Sequence, residues 1–501
     1  MDWDQQPVIV GFGQATWREQ DLARSPVDGL EHVARLAAES AGVDLADIVD
    51  TVVHVPYISN QVPALAPLLP QRSGAALAAR CGLRARQFTA DVGGNLPQQL
   101  VNEFAARLVR GDAAGVLITG AEMLATLIGA VRSGAGFPEW TATSGDEAHC
   151  LTDTPAMTAP TEQAHGLYEP IHAYPLFESA LRHALGLDGA AHAERLGGLI
   201  SRMSAVAAQN PHAWKQQSLT RAEVLGTEGG NRMICHPYTK VMNSIIAVDQ
   251  AAAVLLTTVG RARALGIDEA RWVYLRGAAD AQDVWYLSER AALHESPALR
   301  AAAAAALEQA GCSLADIRLF DLYSCFPSAV QVACRALGLA VDDPRGLTVT
   351  GGMSLFGGPG NNYSLHAIAT VCEKLREAGE GTAVVTANGG YLTKHSVGVY
   401  AREPGAAPWT PRGGDKLQVD AGGARRSLAE DADGDVAVVA HTVRYSRGEP
   451  VEGIVLGELD DGRRCVATTT DPTTLAALLG EDCVGRRGRV SSGEERNRFS
   501  L

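Results

Sequence analysis

Apolar positions recur at helical spacing in two stretches that begin alike. Behind Ser25-Pro26, the residues Leu30, Val33, Ala34 and Ala37 fall on one helical face, and behind Ser296-Pro297 an alanine-rich run does the same as far as Gly311. Each pair sets a capping serine before a proline at the first helical position, where the missing amide hydrogen costs nothing, and Gly311 suits the end of its helix. Short apolar runs follow at 48–55 and 317–323, the pattern of central strands covered on both faces. A glycine-rich loop comes next in each stretch, GGNLPQ at 93–98 and GGPGNNY at 357–363. Both lead into predicted helices, with Leu100, Val101, Phe104 and Leu108 on the buried face of the first and Leu365, Ile368 and Leu375 on that of the second.

The two stretches are a repeat. AGVDLADI at 41–48 returns as AGCSLADI at 310–317, an offset of 269 residues that also separates Gly120 in LITGAE from Gly389 in VTANGG. Strands and helices alternating twice over predict an α/β fold whose duplicated halves pack about a pseudo-twofold axis. The first half covers 1–123 and 236–265, with a strand expected at 244–257. It is interrupted by an insertion, 124–235, of the kind that forms a lid or ligand-binding loop. The second half covers 266–402. A linker rich in Pro, Gly and Ala (403–430) leads to 431–501, which alternates at period two between turn signals at Arg447-Gly448, Asp461-Gly462 and Gly485 and reads as a small OB-like β-barrel.

Composition narrows the function. The 501 residues, 46% hydrophobic and 20% charged, have the balance of a globular protein of more than one domain. A net charge of −14 and a pI near 5.4 repel phosphate backbones, so no nucleic-acid partner is expected and an anionic ligand must be held locally. Arg463, Arg464, Arg486, Arg487, Arg489, Arg496 and Arg498 are read as a solvated barrel surface paired with carboxylates. The nine cysteines, odd in number and never spaced C-x-x-C, predict free thiols and a cytoplasmic protein. Neither a leader peptide nor a membrane span is expected. P-loop, G-x-S-x-G and H-E-x-x-H motifs are absent, the VGFG at 10–13 lacks the third glycine of a dinucleotide loop, and no metal site is supported.

A glycine loop that opens a helix aims backbone amides and the positive helix end at one spot, which suits a thioester oxygen or another anion. Two such loops related by the axis would share a site. Gly94, Asn95, Gly358, Asn361, Asn388 and Gly389 are the expected binding residues, with Asn95 and either Asn361 or Asn362 as helix caps. Tyr323, Ser324 and Cys325 follow a core strand and are catalytic candidates. His395, beside Lys394, is the candidate general base, and Tyr391 and Tyr363 adjoin the loops as hydrogen-bond donors.

The segments GGNLPQQLVNEF (93–104), GDAAGVLITGAEML (111–124), MNSIIAVDQAAAVLL (242–256), DLYSCFPSAV (321–330), GGPGNN (357–362) and NGGYLTKHSVGVY (388–400) together resemble the thiolases, specifically the thiolase-like proteins of type 1 with an additional C-terminal domain. The resemblance implies a five-layer αβαβα thiolase fold and an insertion that helps bind coenzyme A. It also implies an active site between two helix N-termini and a place in lipid metabolism. It sets Gly94 at the nucleophilic cysteine, Gly357-Gly358-Pro359 at the Gly-His-Pro motif and Ala387 at the second cysteine. Tyr323-Ser324-Cys325-Phe326 stands where active thiolases have Asn-Glu-Ala-Phe or His-Asp-Cys-Phe. Coenzyme A or an acyl-CoA is then the expected ligand, with no covalently bound cofactor, and a ping-pong reaction through a cysteine acyl-enzyme is closed. Three functions follow as expectations: an acyl-CoA-binding protein with non-thiolytic chemistry or none, an aldolase or retro-aldolase on a branched or steroid-like acyl-CoA, and a non-catalytic scaffold. A monomer or homodimer is expected, with any protein partner engaged through the C-terminal domain.

Overall fold

The computed structural model describes residues 3–136, 140, 145, 147–411, 417–418, 425–480 and 482–501. The first half runs β1 (Pro7–Thr16), α1 (Pro26–Ala41), β2 (Thr51–His54), β3 (Arg86–Thr89), α2 (Leu96–Arg110) and β4 (Gly115–Met123). The main helices of the insertion are α3 (Pro170–Ala184) and α4 (Gly189–Gln209), and the half closes with β5 (Asp249–Thr258). The second half runs β6 (Val273–Gln282), α5 (Pro297–Ala310), β7 (Leu319–Asp321), α6 (Pro327–Leu337), α7 (Tyr363–Ala378), β8 (Thr382–Gly389) and β9 (Lys394–Ala401).

The capping chemistry acts as the sequence predicts. Ser25 accepts from the Asp28 amide and Ser296 from the Leu299 amide, while Gly311 leaves α5 in the left-handed region, open to glycine without strain. Three strands are shorter than their apolar runs. Leu45–Ile48 coils into a helical turn ahead of β2. The Tyr323 amide leaves the ladder for Thr386 Oγ1 (3.0 Å), so β7 ends at Asp321. Residues 244–248 serve the second glycine loop: the Ile245 amide donates to Met353 and the Ile245 carbonyl accepts from Gly358.

β3, β2 and β4 lie parallel, and β5 and then β1 continue the sheet antiparallel to its neighbour; β7, β8, β9 and β6 repeat the arrangement. β1 and β6 pair at Val8–Tyr274 and Ile9–Val273, joining the halves. Between the two sheets run α2 and α7, whose Leu100, Val101, Phe104 and Leu108 share one core with Leu365, Ile368 and Leu375. α1 covers the outer face of the first half, and α5 and α6 that of the second, which completes five αβαβα layers.

Beyond the linker, which lies partly outside the described residues, come β10 (Gly434–Ser446), β11 (Glu449–Leu459), β12 (Arg464–Thr469), α8 (Pro472–Gly480), β13 (Arg487–Ser491) and β14 (Arg498–Ser500). The order β10-β11-β12-β14-β13 returns to β10 and closes a barrel about its own core, with β12 and β14 parallel, the strand arrangement of an OB-fold. The barrel is not a loose appendage. Its Ala440, Ile454, Leu456 and Val466 join Tyr174, Phe177 and Leu181 of α3 in the cluster that also holds Tyr323 and Cys325. Its arginines pair locally, Arg463 with Asp461, Arg464 with Glu458, Arg487 with Asp460, Arg489 with Asp433 and Arg496 with Glu452. Among the described residues no helix is long and apolar enough to cross a membrane.

Candidate active site

The two glycine loops are fastened to each other. The Gly93 amide donates to Asn361 Oδ1 (3.0 Å), and Ser364 Oγ donates to the Gly94 carbonyl (2.8 Å), so α2 and α7 begin side by side. A second exchange crosses the axis. Asn95 Oδ1 lies 2.1 Å from where a Cβ on Gly389 would stand, and Asn362 Oδ1 lies 2.4 Å from one on Gly120. The matched glycines are thus each required by an asparagine of the opposite half. This corrects the expected caps. Asn95 and Asn362 both have right-handed helical backbones and make no side-chain cap, because their amide groups turn to Gln99 (3.0 Å) and to the Gly120 carbonyl (2.8 Å).

The space in front of Gly94 belongs to Tyr323. A Cβ on Gly94 would fall 1.9 Å from Tyr323 Oη and 2.7 Å from the Asn388 carbonyl oxygen. Among the described residues that hydroxyl makes no hydrogen bond; burial, with Cys325 beside it, raises its pKa, so it stands as a neutral donor. The Cys325 thiol is buried and pushed up to about 12, which leaves almost no thiolate near neutrality. Asn388 Nδ2 lies 3.9 Å from that sulfur and donates to Tyr174 Oη (2.8 Å). Tyr174, supplied by α3, donates in turn to the Gly390 carbonyl (2.9 Å) and stacks on Phe326 at 4.4 Å.

Ser324 and Tyr363 sit deeper. Ser324 Oγ accepts from the Met353 amide (3.1 Å) and lies 3.3 Å from Tyr363 Oη, which donates to Asp321 Oδ1 (3.0 Å). Burial raises the Asp321 carboxyl, and its bonds to Thr348, Thr350 and the Val349 amide work against that rise. The Tyr391 hydroxyl is spent on the Tyr168 carbonyl and stays protonated through burial.

His395 does not face the cleft. Successive strand residues point to opposite faces, and on β9 the residues Lys394, Ser396, Gly398 and Tyr400 take the inner one: Tyr400 Oη donates to Gln98 of α2 (2.8 Å). His395 therefore points to the outer helices, where Nε2 lies 3.1 Å from Ser296 Oγ and 3.6 Å from Asp283. Burial works to raise the Asp283 carboxyl, but His395 and Arg290 bring it below its ordinary value. The residue that reaches the first loop is Lys394, whose ammonium donates to the Val92 carbonyl (2.5 Å) and would stand 2.8 Å from a Cβ on Gly93. Strand phase was the missing signal for this pair. Among the described residues no group of three His, Cys, Asp or Glu could hold a metal ion.

Residues 417–495 match the family described as the thiolase-like protein type 1 additional C-terminal domain. Over the whole of both chains the protein is 35% identical, with a TM-score of 0.85, to the crystal structure of a monomeric SCP2-thiolase like protein type 1 from Mycobacterium smegmatis. The chain belongs to the type 1 thiolase-like proteins. At the level of fold, this type 1 thiolase-like protein also matches the Ltp2-ChsH2(DUF35) aldolase, at 19% identity and a TM-score of 0.61 over 80% of this chain and 99% of that one. A 3-ketoacyl-CoA thiolase of Salmonella heidelberg (strain SL476) is 33% identical over 168 residues, 30% of this chain and 36% of that enzyme, so the type 1 protein spans about a third of the curated relatives it matches.

Proposed function

We propose that this protein binds acyl-coenzyme A thioesters between the two glycine loops and forms no cysteine acyl-enzyme with them. One observation carries the reading: the Tyr323 hydroxyl occupies the place of a side chain at Gly94, the position the resemblance gives to the nucleophile. A neutral phenol there can donate to a thioester carbonyl but cannot take the acyl group as a thiolate does. Cys325 is no substitute, since its thiol stays protonated. The 3-ketoacyl-CoA thiolase relative supports coenzyme A thioesters as the ligand class.

Saturable binding of coenzyme A and acetyl-CoA by calorimetry is the test. Tyr323→Phe should weaken acetyl-CoA by about fivefold to tenfold, the loss of one neutral hydrogen bond, and leave the fold intact. No binding of either ligand to the wild-type protein would overturn the reading.

A second reading has an observation of its own. A protonated hydroxyl without a partner among the described residues, at the point where a thioester would react, suits acid catalysis of carbon–carbon cleavage, as in a retro-aldolase. Release of a ketone from a branched 3-hydroxyacyl-CoA, abolished by Tyr323→Phe, would support it; inactivity over a broad panel of such thioesters would count against it.

A further inference from the structure

The second loop has a hydroxyl of its own. Ser244 lies on the stretch that leads into β5, held against the loop by the bonds from the Ile245 amide to Met353 (3.1 Å) and from the Gly358 amide to Ile245 (2.8 Å). Its Oγ stands 2.1 Å from where a Cβ on Gly358 would be, is buried, and has no hydrogen-bond partner among the described residues. The direction from Cα to Cβ at 358 is the one the thiolase resemblance gives to a histidine facing the cleft. Ser244 Oγ thus fills the volume of a side chain at 358, as Tyr323 Oη fills that of a side chain at 94. Asn361, three residues beyond Gly358, fastens the second loop to Gly93, so the two filled positions lie on joined loops.

Three other buried oxygens beside these loops differ in kind. Asn95 Oδ1, Asn362 Oδ1 and Gln250 Oε1 rest against Gly389, Gly120 and Gly357, and their own amide groups are already bonded. They are acceptors and can offer nothing to a carbonyl. Ser244 carries a proton, and a buried hydroxyl with no protein partner is favoured where a ligand completes it.

We propose that Ser244 contacts the substrate, its hydroxyl donating to a carbonyl oxygen of an acyl thioester while Tyr323 donates from its place in front of Gly94. The proposal rests on the acyl-CoA reading above, and its test separates the two. The full-length wild-type protein, Ser244→Ala and Gly358→Ala are titrated with acetyl-CoA and with free coenzyme A, which lacks the carbonyl, and thermal unfolding checks the fold. Ser244→Ala should bind acetyl-CoA about tenfold more weakly and free coenzyme A within about twofold of wild type. Gly358→Ala, which drives a methyl group against the hydroxyl, should reproduce that selective loss. If the alanine at 244 does not fold, Ser244→Cys, close in volume and a weaker donor, carries the comparison. Unchanged acetyl-CoA binding, or an equal loss for both ligands, would overturn the role of Ser244 and leave the acyl-CoA reading standing. A wild-type protein that binds neither ligand would sink both.

Discussion

Tyr323 holds the volume in front of Gly94, so a side chain at 94 does not fit while the tyrosine is there. A methyl group at 94 would press on the Tyr323 ring and on the Asn388 backbone, and the second contact cannot swing away. Gly94→Ala should therefore cost about 1–3 kcal/mol in chemical denaturation, with part of that cost removed in a Tyr323→Ala background. Equal costs in both backgrounds would mean that the tyrosine does not hold the space. His395 makes a structural prediction instead. It bonds Ser296, the cap of α5, beside Asp283, so His395→Ala should lower stability by about 1–3 kcal/mol and leave coenzyme A affinity unchanged. A loss of affinity without a loss of stability would return His395 to the cleft. The dipeptide Lys394-His395 is visible in the sequence, but which of the two faces inward depends on the register of β9 against β6 and β8, a long-range property.

At the scale of elements, what was legible is what local chemistry decides. Ser25-Pro26 and Ser296-Pro297 announce their helices because cap and proline act within one turn. The glycine loops are legible through their offset of 269 residues. Strand ends were not, because each is set by a partner far away in sequence: Thr386 draws the Tyr323 amide off the ladder, and the second loop engages Ile245. Asn361, expected as a binding residue and with Asn362 as one of two alternatives for the helix cap, ties the loops together through the Gly93 amide. Asn361→Ala leaves the Gly93 amide and the Pro56 carbonyl without their partner, and should cost about 1–3 kcal/mol in urea unfolding as well as weakening coenzyme A binding. Full affinity in a destabilised variant would show that the tie serves the fold alone.

For the whole molecule, the barrel was legible from its period-two alternation, whereas its seat on α3 depends on contacts that no local pattern reports. Burial also couples the assembly to pH. His54 and His236 are lowered to about 4, and His366 and His441 to about 3, each by burial. They stay neutral in the fold while the unfolded chain takes protons below about pH 6.5, so stability should fall from there downward, by roughly 2 kcal/mol per histidine at about pH 5. Glu122 works in the other direction. Its carboxyl is raised to about 8 by burial, and the unfolded chain ionises from about 4.5, so its contribution is lost as pH rises between those values. Glu122→Gln should thus raise the thermal midpoint at about pH 8, gaining roughly 2–4 kcal/mol, and change little at about pH 5. Equal effects at both pH values would contradict this assignment.

The central property proposed for this site is carbonyl chemistry without a sulfur nucleophile. Its most direct test is the intact mass of the full-length protein after incubation with excess acetyl-CoA, followed by peptide mapping. The protein should emerge unmodified, with Cys325 still a free thiol. An acetyl group on Cys325, formed at a catalytically competent rate, would contradict it.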